Sequence, residues 1–377
     1  MQALNIMPIV RKEFRQIRRD RRALGVLLLI PSMMLIMFGY ALNFDVKHSN
    51  VAVYDEDNSK TSREFAQLFF TSEYFDYAHR LTDLKTVNEL VDGENVRAVI
   101  VIPSDFSHNI AEGKDVAVQI IVDGTNSNAA TTVLGYVGAI IQQYSLKVMA
   151  TTFYRRGQQQ VVRPIDLRPR IWYNPELRSA KFLVPGLIAF ILMLTAVVST
   201  SLAVVREWET GTVEQIIVSP AKPVELILGK TVPYTIIALI ATVTILVAGY
   251  VLFDVQIKGS FLLLFVVTLV FLIGSLGLGL LISTIAGTQQ VAFMIAVIAT
   301  MLPTFILSGF VFPIRNMPPI IQAITYLIPA RYFLVALRSI ILKGAGLSAF
   351  WDQLLYLVAF ALLTLGASSA RMRKLLH

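Results

Sequence analysis

Four stretches of this chain, Ala23–Leu42, Phe182–Val205, Thr231–Phe253 and Leu354–Ala370, hold no charged residue and each approaches or exceeds the length of a membrane span. A helix needs about 20 predominantly apolar residues to cross a bilayer. A fifth stretch, Gly259–Ile314, is too long for one helix, and Gly287, Thr288, Gln289 and Gln290 interrupt it. It reads as two spans joined by a tight turn. The expectation is therefore six transmembrane helices. Composition points the same way: 55% of residues are apolar and 15% charged, and the mean hydropathy is +0.64, outside the usual soluble range.

Charge placement predicts the orientation. Residues 1–22 carry seven Lys/Arg against two acids, and Arg371, Arg373 and Lys374 make the tail basic. Basic flanks stay on the cytoplasmic side, so both termini are expected inside, as an even number of spans requires. The net charge of +8 is then a signal of topology. No basic-aromatic patch accompanies it, so nucleic acid is not an expected partner. Gly39-Tyr-Ala41 has the small-x-small form of a cleavage site, but the apolar run before it is longer than a signal-peptide core and reads as an uncleaved anchor. Upstream, Ile6, Val10, Phe14 and Ile17 share one helical face, with Arg11, Lys12, Arg15, Arg18, Arg19 and Arg22 opposite. Residues 1–22 are thus expected to form an amphipathic helix on the inner membrane surface, against anionic lipid.

With that orientation, residues 43–181 lie outside the cytoplasm. β-rich runs alternate there with helical ones: "NVAVYD" then "SREFAQLFF"; "YFDYAH" then "DLKTVNELV"; "VRAVIVIP" then "DFSHNIAEG"; and finally "DVAVQIIVDG". Such alternation predicts a compact α/β domain with a small sheet. Asp105 is the expected N-cap of the helix after Pro103, Thr131–Arg156 reads as one long helix, and 157–181 as a Pro-broken connector. The chain has no cysteine, so neither a disulfide framework nor a thiolate nucleophile is available. His48, His79 and His108 lack zinc-ligand spacing. "DGTNSN" lacks the calcium-loop pattern and reads as a turn. No catalytic residue, metal site or bound cofactor is expected.

"REWETGTVEQIIVSP", Arg206–Pro220, lies between two spans on the expected cytoplasmic side. Gly211 reads as an N-cap supported by Glu214. Val213, Ile216 and Ile217 form an apolar face, and Pro220 ends the short helix. A second short helix is expected from Pro223 to Gly229. Residues 206–230 carry a net charge of −1, against the positive-inside tendency. The stretch reads as made to dock onto a soluble partner, with Glu207 and Glu209 meeting basic groups there. Gly211 would turn the chain tightly at little cost if its φ is positive.

The spacing E-x-E-x-G-T-x-E-x-x-x-x-S-P from Glu207 resembles the coupling-helix signature of ABC-2 type transporter permeases. "LLISTIAGTQQVA", "LSGFVFPIRNMP" and "TYLIPARYF" resemble that family too, so the likeness covers essentially the whole chain. The large insertion after the first span is similar to that of the drug-exporter branch. The resemblance implies an α-helical polytopic membrane protein of six transmembrane helices plus re-entrant helices, with an inserted extracytoplasmic α/β domain. It implies residence in the bacterial inner membrane. It makes Arg206, Glu207, Glu209, Gly211, Thr212, Glu214 and Ile217 the residues that couple to a cytoplasmic ATPase dimer. No G-x-x-x-x-G-K-[ST] is present, so ATP and Mg are expected on that partner and not on this chain. A second permease subunit, identical or a sister, and a periplasmic adaptor complete the partners.

Residues 313–351 are strongly apolar but contain Pro329, Arg331 and Arg338. A seventh span would put those cations in hydrocarbon. Two re-entrant helices fit better, and the resemblance makes Pro313, Pro329 and Arg331 part of an outer seal. The expected spans hold no ionised side chain, which disfavours an ion channel. Thr195, Ser199 and Gln289 are the candidate residues of a translocation path suited to an amphiphile. The alternative class is a membrane-anchored sensor or assembly scaffold, which would need one anchor rather than six spans.

Overall fold

The computed structural model describes residues 6–41, 49–72, 74–81, 96–124, 127–155, 173–174, 178–211 and 223–376. The expected helix over "DLKTVNELV", most of the 157–181 connector and the body of the expected coupling helix lie outside them. The chain forms two compact units, Met1–Asn43 with Ile171–His377, and Phe44–Arg170.

The second unit holds strands β1 (Ser49–Asp55), β2 (Phe75–Leu81), β3 (Ala98–Ile102) and β4 (Gln119–Val122) in the order β2-β1-β3-β4. β1 pairs in parallel with β2 and β3, while β4 runs antiparallel to β3. Alternation sends Val51, Val53, Ala98, Ile100 and Ile102 to one face and Ala52, Val99 and Val101 to the other. Both sets are buried, which is why β3 is an unbroken apolar run. The first face packs on Phe65 and Phe69 of α3 (Lys60–Phe70), Phe106 of α4 (Phe106–Glu112), and Val133 and Val137 of α5 (Ser127–Arg155). Ser59 starts α3 with a capping box: its hydroxyl accepts from Ser62 N–H at 3.0 Å, and Ser62 returns the bond at 3.0 Å. Asp105 precedes α4 but makes no side-chain cap, contrary to expectation; its carboxylate accepts instead from the Asn109 amide.

The first unit begins with α1 (Met7–Arg19) and α2 (Arg21–Ala41) and continues through α6 (Ser179–Glu209), α7 (Pro223–Phe253), α8 (Phe261–Ser283) and α9 (Gln289–Leu302). A π-helical turn, Pro303–Leu307, extends α9, and α10 (Pro319–Thr325), α11 (Pro329–Ile341) and α12 (Trp351–Leu376) follow. Among the described residues, five helices are long and apolar enough to cross a membrane: α6, α7, α8, α9 with its π turn, and α12. The apolar part of α2, Leu27–Ala41, is shorter. α10 and α11 meet at 78°, with Pro329 at the first position of α11, where its missing N–H costs nothing.

α7 corrects the sequence reading. The expected short helix at Pro223–Gly229 is the opening of one continuous helix, which passes through Pro233 without ending. An apolar solvent penalises every unpaired backbone group, so a span tolerates an internal proline better than a break.

α6 is the central helix, with 72% of its apolar window buried against 22% for α9 and α12. α8 approaches it closely through small residues: a Cβ on Gly279 would lie 2.6 Å from the Val197 carbonyl oxygen. On α8's other side, Ser368 of α12 donates to the Gly277 carbonyl at 2.8 Å, and Thr364 to that of Gly274 at 3.1 Å. Close backbone approach and interhelical hydrogen bonds replace the hydrophobic drive that lipid removes. Val243, Val247 and Val251 leave an exposed apolar stripe on α7, as a lipid-facing helix requires.

Candidate functional site

Three of the four buried charged residues among the described ones meet at the last turns of α6. Glu207, on α6, is 4% exposed; Glu13 of α1 is 2% exposed and Lys230 of α7 4%. Lys230 Nζ donates to Glu207 Oε2 at 2.7 Å and to Glu13 Oε1 at 2.9 Å. Lys12 Nζ reaches in from the exposed face of α1 to pair with Glu207 Oε1, and lies 3.3 Å from Glu13 Oε1. Each carboxylate thus faces both ammonium groups, and the four charges cancel. Burying one ion costs several kcal/mol, and only such mutual compensation offsets it. Burial works against the charge on Lys12, but Glu207 and Glu13 outweigh it and hold its pKa above the ordinary lysine range.

This arrangement revises the expectation for Glu207. Its two oxygens are engaged within the chain and are not held out to a partner. Lys12, Glu13 and Lys230 were missed by sequence reasoning. The available signals were an acid on the apolar side of an amphipathic helix and a lone cation at the head of a span.

Around the tetrad, Arg206 Nη1 pairs with Asp20 Oδ2, between α1 and α2, at 3.2 Å. Glu209 accepts from the Gln289 N–H through Oε1 at 2.8 Å and from Gln289 Nε2 through Oε2. α6 ends directly afterwards. Thr210 N–H returns to the Arg206 carbonyl at 3.0 Å and Gly211 N–H to that of Trp208 at 3.2 Å. Gly211 takes φ +70°, the left-handed conformation that terminates a helix. It closes α6 and does not have the backbone of an N-cap. Thr212, Glu214 and Ile217 lie outside the described residues.

Thr195, Ser199 and Gln289 line one cavity of about 530 Å³. Leu27, Ile30 and Met34 of α2, Leu194, Val198 and Leu202 of α6, and Phe293 and Val297 of α9 form its apolar wall; Arg206 and Tyr234 are also at its surface. Thr195 donates to the Ile191 carbonyl at 2.7 Å and Ser199 to that of Ala196 at 3.1 Å, so both hydroxyls are satisfied within α6. The cavity is therefore mainly a hydrophobic surface, with a guanidinium and an amide among its polar groups.

The sequence-selected residues of the 313–351 region are not brought to that cavity. Pro313 precedes a short 3₁₀ turn. Arg331 donates to Thr325 Oγ1 and lies 4.0 Å over the Tyr326 ring, tying α11 to α10. Arg338, not singled out for a site, donates to the Gly309 and Phe182 carbonyls at 3.3 Å each. Among the described residues, no group of three or more His, Cys, Asp or Glu side chains could hold a metal ion.

The family model for ABC-2 family transporter proteins matches residues 23–370. The chain is 34% identical to the probable multidrug ABC transporter permease YbhS of Escherichia coli, over 94% of this chain and 93% of the relative. It is 32% identical to the probable multidrug ABC transporter permease YbhR, over 97% of each, and 27% identical to the inner membrane transport permease YhhJ, over 94% and 93%. A family model matched over residues 23–370, and relatives at 34% and 32% identity over more than nine-tenths of their length, make this chain a member of the ABC-2 transporter family.

Proposed function

We propose that the chain is the permease subunit of an ATP-driven exporter, moving an amphiphilic or drug-like compound outward across a bacterial inner membrane. The observation that carries this reading is the apolar cavity on α6, the same helix whose last turn holds the charge tetrad and leads into the 211–222 segment. A drug-like, amphiphilic cargo suits walls of Leu, Ile, Met and Phe. The names of YbhS and YbhR, both probable multidrug permeases, favour the same class.

α2 supplies the sixth span: its 21 residues reach about 31 Å at 1.5 Å per residue. Both termini and residues 206–230 then face the cytoplasm, α10 and α11 re-enter from the outer side, and the 44–170 unit lies outside. ATP and Mg are bound by a separate ATPase dimer beneath two permease subunits. Its closure acts through the 211–219 segment, while the tetrad makes α1, α6 and α7 respond as one body.

Two experiments test this. In the cysteine-free chain, Leu90→Cys should react with an impermeant thiol reagent in intact cells and Pro220→Cys should not; the reverse pattern would sink the topology. For coupling, Glu209→Ala combined with Glu214→Ala should leave the complex assembled with its ATPase but abolish substrate-stimulated ATP hydrolysis and export. Wild-type values for both would reduce the stretch to a connecting loop.

A further inference from the structure

We propose that Glu209 and Gln289 form a latch closing the cavity at the end nearest the 211–222 segment, and that it must open for cargo to enter. The proposal rests on the transport reading above and gives Glu209 a role inside the chain, where the sequence suggested one facing the partner.

Geometry carries it first. Gln289 is the opening residue of α9, and its backbone N–H is one of the donors that a helix start leaves without an intrahelical partner. Thr288 caps the start conventionally, its hydroxyl accepting from Val291 N–H at 3.3 Å. The Glu209 carboxylate completes the cap from another helix, taking the Gln289 N–H at 2.8 Å and its side-chain amide as well. An anion at a helix N-terminus is also favoured by the helix dipole. Gln289 lines the cavity, as does Arg206, three residues before Glu209. Each of these polar lining residues is tied to another element, Gln289 to α6 and Arg206 to Asp20.

Magnitudes then decide which joint can move. Breaking the buried tetrad would strand ions in a low-dielectric interior, so α1, α6 and α7 stay together. The Glu209 carboxylate is exposed, and water replaces a lost partner there at little cost. Of the three polar joints at this end of α6, the tetrad is too costly to break and the Arg206–Asp20 pair holds α6 to the α1–α2 side; the exposed Glu209–Gln289 joint is the one that holds it to α9. Two residues on, Gly211 turns the chain at φ +70° with open space where a Cβ would stand. A pull on the following segment is thus delivered beside the carboxylate. α6 would part from the start of α9, carrying α1 and α7 with it.

The full-length chain in inside-out membrane vesicles, without nucleotide, provides the test. A Ser199→Cys reporter in the cavity is exposed to an impermeant maleimide, with and without Glu209→Ala. The latch predicts labelling about two- to fivefold faster in Glu209→Ala, on the scale of losing an exposed charged contact. Glu209→Gln, which keeps the shape and one acceptor, should label at an intermediate rate. Unchanged labelling in both, with unaltered thermal midpoints, would overturn the latch and leave Glu209 a mere helix cap. As a second arm, Glu209→Cys with Gln289→Cys is joined by a short bis-thiol reagent in the complex with its ATPase. Export should stop; continued export with the cross-link complete would also overturn the proposal. Absence of export from the uncross-linked wild-type complex would instead defeat the transport reading, since the labelling assay needs no transport.

Discussion

The two ends of α6 handle their most buried charges in opposite ways, the more exposed Arg178–Asp254 pair at the Ser179 end standing apart. At the Glu209 end, four ionised side chains from three helices neutralise one another, three of them buried and Lys12 half-exposed. At the Ser179 end, the nearby cation Arg338 is met by neutral groups: the Phe182 and Gly309 carbonyls, and the Phe182 ring 4.0 Å from its guanidinium carbon. Its Nε is buried without a hydrogen-bond partner. Charge answered by charge makes a joint that fails badly when one member is lost. Charge answered by dipoles and a ring makes a joint that weakens by degrees. The first suits a transmission element and the second a seal.

The largest expected effect tests the first half of that contrast. Lys230→Met leaves two buried carboxylates facing one lysine, and should destabilise the chain by about 3–5 kcal/mol in denaturant unfolding in detergent. Adding Glu207→Gln should recover part of the loss, because neutralising both members of a pair removes the stranded charge. Strictly additive losses would show that the four residues do not act as one cluster.

Between the two ends, α6 is held by backbone approach. Gly279→Ala places a methyl group 2.6 Å from the Val197 carbonyl oxygen, and the required shift should cost about 1–3 kcal/mol. A neutral outcome would mean that α8 can move away from α6 freely. Arg338→Lys should be milder, about 1–2 kcal/mol, because one ammonium cannot fork between two carbonyls as a guanidinium does. An Arg338→Lys loss exceeding that of Lys230→Met would reverse the comparison.

The smallest effect lies in the other unit, where a carboxylate is again answered by neutral donors. Burial would raise the pKa of Asp57, but hydrogen bonds from Ser59 and from the Ser107 hydroxyl and N–H hold it below the ordinary range. A carboxyl whose pKa is depressed on folding stabilises the fold above its unfolded value, about 4, and loses that contribution as pH falls through the lower folded value. The 44–170 segment expressed alone should therefore unfold cooperatively and be more stable than its Asp57→Asn variant at neutral pH. Urea midpoints should converge in acid below about pH 4. A gap independent of pH would remove ionisation as the cause.

Sequence alone determined what depends on neighbours along the chain. The long apolar runs became helices, and the break expected at 287–290 fell at 284–288 between α8 and α9, with Gln289 and Gln290 opening α9, because span length and turn chemistry are local. The strand-helix alternation after residue 49 was legible for the same reason, as was the need for a glycine where the chain leaves α6. Tertiary structure alone decided where the charges of the 206–230 stretch point. Glu207 was singled out but aimed at an absent partner, since Lys12 stands 195 positions away and the Glu13–Lys230 pair spans 217. Thr195, Ser199 and Gln289 were grouped as polar residues of one candidate path, and the packing of α9 on α6 is what gave them a common cavity. A buried ion must find its counter-ion wherever the fold brings one, and for Glu207 and Lys230 that counter-ion lies on other helices.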